Sequence, residues 1–383
     1  VKIALPDTSG RSVDYALSGT PVPVVKLPEN PARVVYSAAH VVADPFTANE
    51  PSGRPAIDWE KTLEFRRYLA GLGLGIAEAM DTAQRGMGLD WPTALELIRH
   101  TRETLPDARV TNGCGTEQLD PADARTVDDV KRAYLEQLGA IQKLDARVIL
   151  MASRALARVA ASAADYKAIY RAVLLECEHP VILHWLGEMF DPQLAGYWGS
   201  GNFTETLETV VEIIEENAAK VDGIKISLLD KDKEITLRRR LPEGVKLYTG
   251  DDFNYPELMA GDDEAFSHAL LGIFDPIAPS AAYAVDRLGH GDLAGFRSTL
   301  DQTVPLARLI FRAPTQYYKT GVVFLAWLNG FQDHFVMLGG AQSMRPLPYF
   351  TEIFRQADQC GLLKDPDLAV ARMRRLLSLY GAD

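Results

Sequence analysis

From residue 33 to residue 278 the hydrophobic period of the sequence switches back and forth, and this constrains the fold more than any other feature. Short runs rich in Val, Ile, Ala and Gly occupy 33–42, 74–82, 108–117, 146–153, 179–186, 221–228, 245–252 and 268–278. Between and after them, apolar residues recur at helical spacing near 58–70, 91–104, 127–143, 163–177, 203–219, 235–241, 254–260 and 280–290. Asp58 before Trp59, and Asp90 before Trp91-Pro92, are start signals: a carboxylate can cap the first free amides, and proline suits the first turn. Strands separated by helices pair in parallel through right-handed crossovers. Eight such units over about 250 residues is the count of a (β/α)8, or TIM, barrel. An open doubly wound sheet would need a Gly-rich phosphate turn after its first strand. The nearest glycine cluster, GLGLG at 71–75, instead lies between a helix and the second run, where it stops the helix.

The chain has 383 residues, more than a simple barrel requires. At the start, VKIALPD and SVDYAL flank a Thr8-Ser9-Gly10 turn signal and predict a β-hairpin. Beyond residue 290 the pattern is helical only, near 292–312, 315–337, 347–359 and 366–380. The expected organisation is an N-terminal hairpin extension over 1–29, the barrel over 30–290, and a C-terminal helical extension packed on it over 291–383. Such a tail suits an oligomer contact, so a homo-oligomer is expected. Tyr317, Tyr318 and Trp327, at helical spacing within it, read as packing.

Hydrophobic residues make up 47% of the chain, enough for a large core and too many for a disordered protein. With 52 acidic against 40 basic side chains the net charge is -12, which argues against nucleic acid or an anionic membrane as partner. Cys114, Cys177 and Cys360 are scattered, without metal-ligand spacing, and fit a reducing compartment. The first residues lack a basic start followed by an apolar run, and the best apolar stretch, 321–331, is too short to span a bilayer. A cytoplasmic protein acting on a small molecule is the expectation.

Working groups in such a barrel sit at the C-terminal ends of the strands. Along the sixth run, Ile224, Ile226 and Leu228 share one face and Gly223, Lys225 and Ser227 the other. The aliphatic face must meet the helices, so Lys225 points into the barrel. Burial disfavours an ammonium, and a neutral amine can attack a carbonyl to form a Schiff base. The plainer reading is a structural ion pair with an inward carboxylate.

The surroundings of Lys225 add to this. GIKIS at 223–227 is followed by YTGDD at 248–252 and GIFDPIAPSAA at 272–282, and is preceded by HPVILHWLGEMFDP at 179–192. Over residues 30–290 this series resembles the dihydrodipicolinate synthase and N-acetylneuraminate lyase superfamily of class I aldolases, in a divergent, longer branch. The resemblance implies that Lys225 is the Schiff-base lysine and that no metal or other cofactor is needed beyond that covalent imine. It places His184 where the family has a proton-relaying tyrosine. Thr82 falls on the first threonine of the family's Gly-Thr-Thr-Gly-Glu turn, which here reads Asp81-Thr82-Ala83-Gln84-Arg85. The family turn holds a pyruvate-type carboxylate. Asp81 would repel one by roughly 1–4 kcal/mol at a few Å, unless it faces away or Arg85 neutralises it. A hydroxylated ketone or aldehyde, as in sugar derivatives, fits better.

His184 shares a strand face with Ile182 and should also face inward, where an imidazole can move protons near neutral pH. The expected catalytic set is Lys225, His184 and Thr82, with Asp81, His40, Asn112, Gly250, Asp251 and Asp252 binding substrate. The expected reaction is carbon–carbon or carbon–oxygen lysis. The rival is a divalent-metal sugar isomerase or class II aldolase, with Glu78, Asp81, Glu117, Asp251 and Asp252 joined by His40 and His184 as ligands. A third reading is a barrel that binds a ligand without catalysis. Arg238-Arg239-Arg240 could hold a substrate anion, although such runs are usually solvated helix faces. Asn112-Gly113-Cys114-Gly115-Thr116 gives backbone that a ligand can approach. Nothing near Cys114 in sequence would activate it as a nucleophile.

Overall fold

The computed structural model describes every residue except Thr8, Ala48, Ser52 and Asp383. The Thr8 part of the predicted N-terminal turn therefore lies outside the described residues. On either side of it β1 (Lys2–Pro6) and β2 (Ser12–Ala16) pair antiparallel, with Leu5 opposite Val13.

The eight runs predicted as strands each contain one: β3 (Val35–Ala38), β4 (Gly75–Glu78), β5 (Val110–Cys114), β6 (Arg147–Leu150), β7 (Val181–Leu186), β8 (Val221–Ser227), β9 (Lys246–Thr249) and β10 (His268–Leu271). They close in sequence order, β10 pairing with β3, and every pairing is parallel. The molecule is a (β/α)8 TIM barrel with a hairpin before it and helices after it. The strands are shorter than the runs because most runs continue into the loop at the C-terminal mouth. Asp58 and Asp90 cap their helices at 3.0 Å, as their placement predicts.

Alternation along the strands makes two apolar compartments. Tyr36, Ala38, Ala77, Met80, Ile149, Met151, Ile182, Tyr248 and Leu270 fill the lumen, and a larger cluster seals the strands against the helices. Gly223 is required in the lumen: a Cβ there would sit 2.7 Å from the Tyr248 ring, which crosses the barrel floor.

The tail departs from prediction in detail. The stretch expected as one helix over 292–312 is two, Leu293–Asp301 and Val304–Ile310. The break falls at Gln302-Thr303, just before Pro305, whose nitrogen cannot donate to a continuous helix. Helix Tyr318–Leu328 is buried at every position, so it lies inside the packing, although its flanks lack the length to cross a membrane. Among the described residues no helix is long and apolar enough to do so.

Candidate active site

Lys225 stands in the lumen near the C-terminal mouth, 7% exposed. Its pairing partner on β7 is His184, so the amine and the imidazole leave adjacent strands at the same level. Gly250 keeps the space beside the lysine open: a Cβ at that position would lie 2.8 Å from Lys225 Cε and collide with Ser227 Oγ. Burial lowers the Lys225 pKa, while the charges of Asp81 and Asp252 oppose the shift. His184 is fully buried, and its Nε2 lies 3.4 Å from Ser227 Oγ. Its Nδ1 has no partner in the structure. Burial, then the Lys225 charge, holds its pKa well below the usual histidine value, so the ring is neutral at pH 7 and can accept a proton.

The turn after β9 divides the work of its two aspartates. Asp251 accepts from the amides of Phe253 and Asn254 at 2.8 and 3.0 Å, and from Asn254 Nδ2 at 2.8 Å. Those bonds shape the turn. Asp252 is 3% exposed and accepts from the Ile273 amide at 2.9 Å, which ties β9 to β10. Burial pushes its carboxyl up to about 7 against the pull of that amide and of Lys225. It can therefore hold or release a proton near neutrality.

After β4 the chain makes a short 3-10 turn, Asp81–Ala83, flanked by Ala79 at φ 53 and Gln84 at φ 65. Two non-glycine residues in the left-handed region mark a turn held by its surroundings. Thr82 Oγ1 lies 2.8 Å from the hydroxyl of Tyr318. Tyr318 comes from the C-terminal helices. It stacks on Phe311 with ring centres 4.3 Å apart, meets Phe190 edge-on at 6.2 Å, and passes close to Gly272. Burial first, then the charges of Asp81 and Asp252, raises its pKa well above 10, which keeps the phenol protonated. Its neighbour Lys319 is 5% exposed and donates to the Gln316 carbonyl at 3.0 Å. Burial lowers its pKa to about 8 against the attraction of Asp81.

Arg85 does not neutralise Asp81. It pairs with Glu117, and it donates to the carbonyls of Ala79 and Gly113 at 3.0 and 2.9 Å. Asp81 acts electrostatically on Lys225 and Lys319. A cavity of about 430 Å³ opens beside this cluster, lined among others by Asp81, Arg85, Glu117, Arg154, His184 and Asp191.

Several expected residues are not brought to it. His40 is fully buried; its backbone amide and Nδ1 both meet Asp275 Oδ2 at 2.8 Å, and its ring packs on Phe65, which fixes it as a tie between strand ends. Asn112 shares the outer face of β5 with Cys114 and donates to the Arg147 carbonyl at 2.9 Å. These contacts occupy one polar group of each side chain, while His40 Nε2 and Asn112 Oδ1 have no partner in the structure; Asp251 spends both oxygens on its turn. Cys114 is buried and its thiol pKa raised, so it is no nucleophile.

The carboxylates of the metal reading are also dispersed. Glu78 is fully buried against Arg66, with bonds of 2.9 and 2.8 Å, and accepts from Thr101 at 2.7 Å. Glu117 belongs to Arg85. Among the described residues no group of three or more His, Cys, Asp or Glu side chains could hold a metal ion. The arginine run is likewise structural: Arg238 and Arg239 pair with Asp262, and Arg240 pairs with Glu208.

The residue that sequence reasoning missed is Tyr318. Its helical spacing carries only a packing signal, and its meeting with Thr82 spans 236 positions.

Comparison with known proteins agrees with the architecture. A family model described as "Protein of unknown function (DUF993)" matches residues 3–382. No curated protein matches the sequence. Among solved structures, dihydrodipicolinate synthase from Aquifex aeolicus is 13% identical, with a TM-score of 0.60 over 91% of this chain and 98% of that one. The enzyme from Bacillus anthracis is 16% identical, with a TM-score of 0.62 over 87% and 98%. The chloride-inhibited enzyme from Acinetobacter baumannii, complexed with pyruvate, is 15% identical, with a TM-score of 0.62 over 86% and 99%. At these identities the likeness is one of fold.

Proposed function

Because this chain belongs to the DUF993 family and folds as the dihydrodipicolinate synthases do, we propose that it is a class I aldolase-like lyase or dehydratase acting through an imine on Lys225. The observation that carries the reading is the pairing of two buried groups in the lumen. Lys225, an amine whose charge burial disfavours, is the register neighbour of His184, a neutral imidazole with a free ring nitrogen.

The chemistry follows from those two states. The neutral amine adds to a ketone or aldehyde carbon, and a proton delivered to the carbinolamine hydroxyl, for which Asp252 is the available acid, lets it leave as water and gives the protonated imine. His184 or Asp252 moves the protons of these steps. The iminium then accepts the electron pair of a neighbouring carbon–carbon bond as a base takes the proton of the β-hydroxyl. Alternatively, loss of an α-proton leads to expulsion of the β-hydroxyl as water. Hydrolysis of the imine returns the amine. Thr82 and Tyr318 form a hydrogen-bonded hydroxyl pair at the mouth that can orient or protonate the departing group.

Asp81 points to the substrate class. With Arg85 committed to Glu117, a second carboxylate beside Asp81 would be opposed by about 1–4 kcal/mol. A hydroxyl group would instead donate to it. A small polyhydroxylated ketone or aldehyde fits this turn better than a pyruvate-type acid.

Sodium borohydride reduction in the presence of hydroxylated ketones and aldehydes tests the proposal. Peptide mass mapping should find the reduced adduct on Lys225, and Lys225→Ala should abolish it. An adduct confined to another lysine, Lys319 included, would sink the assignment.

A further inference from the structure

The N-terminal end of the barrel, opposite the Lys225 mouth, opens into a second cavity of about 450 Å³. Tyr36, Ile182 and Tyr248 contribute to its lining, and Arg109, Arg147 and Lys246 bring three cationic side chains to it. Thr111 also lines it and is the register partner of Arg147, so both side chains leave the sheet toward the axis.

Among the described residues Asp222 is the one acid in the lining, and both its oxygens are engaged. Lys246 Nζ donates to one at 2.6 Å and the Tyr248 hydroxyl to the other at 2.7 Å. Arg109 donates to the Glu29 carbonyl at 2.6 Å. Among the described residues, neither Arg109 nor Arg147 has a carboxylate within ion-pair distance, so three cations share the one charge of Asp222, which acts with Arg109 and Arg147 on Tyr36, in a chain whose net charge is -12. The charge of Arg109 is felt nearby. His268, at the start of β10, is held down to about 4 by burial first and then by Lys246, Arg33 and Arg109, against the opposing pull of Asp222.

The N-terminal face of such a barrel normally serves stability. Two unpaired guanidiniums facing one cavity do the opposite, because they repel each other. Their planar donor forks match the oxygens of a tetrahedral oxyanion, which can take bonds from both while its double charge offsets the excess. We propose that this cavity binds the phosphoryl group of a small phosphorylated molecule, at a site separate from the Lys225 mouth.

Calorimetric titration of the full chain with inorganic phosphate and with glucose 6-phosphate, at low ionic strength, tests the proposal and distinguishes free phosphate from an ester. Sodium acetate at matched ionic strength serves as the monoanion control. Saturable binding of either phosphate compound is expected, with a rise in Tm that acetate does not reproduce. Arg147→Gln and Arg109→Gln should each weaken binding about tenfold or more, a loss of about 1.4 kcal/mol, and Arg147→Lys should fall between. Arg147 lies on an exposed strand start, so its variants should fold, with a Tm in acetate no lower than that of the wild type. The proposal is overturned if neither phosphate compound binds, if acetate matches them, or if binding survives the double Arg109→Gln, Arg147→Gln variant.

Discussion

A lysine becomes a nucleophile only where its charge is hard to keep, and Lys225 meets that condition because its strand carries it into a closed barrel. Tyr318 is the complementary case, a phenol kept protonated and bonded to Thr82. If that hydroxyl moves a proton, Tyr318→Phe should lower kcat about a hundredfold while the borohydride adduct still forms on Lys225. Unchanged turnover in the variant would reduce the tyrosine to packing. The two residues also differ in how far the sequence discloses them. Lys225 and His184 are legible because alternation along a strand decides the direction of each side chain before any distant contact is known. Tyr318 is not, because helical spacing assigns it to a buried face without saying what lies opposite. For His40 the sequence locates the end of a strand but not the partner that meets the side chain there, Asp275.

Between the elements, buried acids hold the barrel to its helices, and Glu234 among them carries a pH signature. Glu234, on helix Lys231–Arg238, accepts from Ser267 on one oxygen and Thr249 on the other, at 2.7 and 2.9 Å. Burial, outweighing those bonds, pushes its carboxyl up to about 8 from 4.5. The folded protein thus holds a proton that the unfolded chain releases, and stability present below pH 4.5 is lost as the pH rises toward 8. The loss is on the order of 5 kcal/mol for a shift of this size. Glu234→Gln keeps the shape without the titration, so its Tm should fall much less than that of the wild type between pH 5 and pH 8. Equal slopes for the two proteins would remove Glu234 as the source. Elements are the level at which the sequence is most informative here. Eight runs predict eight strands, because period two and period 3.6 differ sharply within each window. The tail helices are blurred, since Pro305 breaks one run where apolar spacing alone continues it.

In the whole molecule, the two ends of the chain meet. Asp358, 2% exposed on helix Leu347–Gln359, accepts from the amides of Ser18 and Gly19 at 3.0 and 3.1 Å, and from the Tyr15 hydroxyl at 2.8 Å. Removing it strands three donors, so Asp358→Ala should cost about 2–3 kcal/mol in urea denaturation. A shift within a few tenths would show that water replaces the carboxylate. The meeting of Thr82 and Tyr318 has a different consequence, one of timing. Synthesis runs from the N-terminus, and the last barrel strand ends at Leu271. A growing chain can therefore close its barrel around Lys225 while the tyrosine of the mouth has not yet been added. A nascent chain halted between those two points carries the amine without its hydroxyl companion.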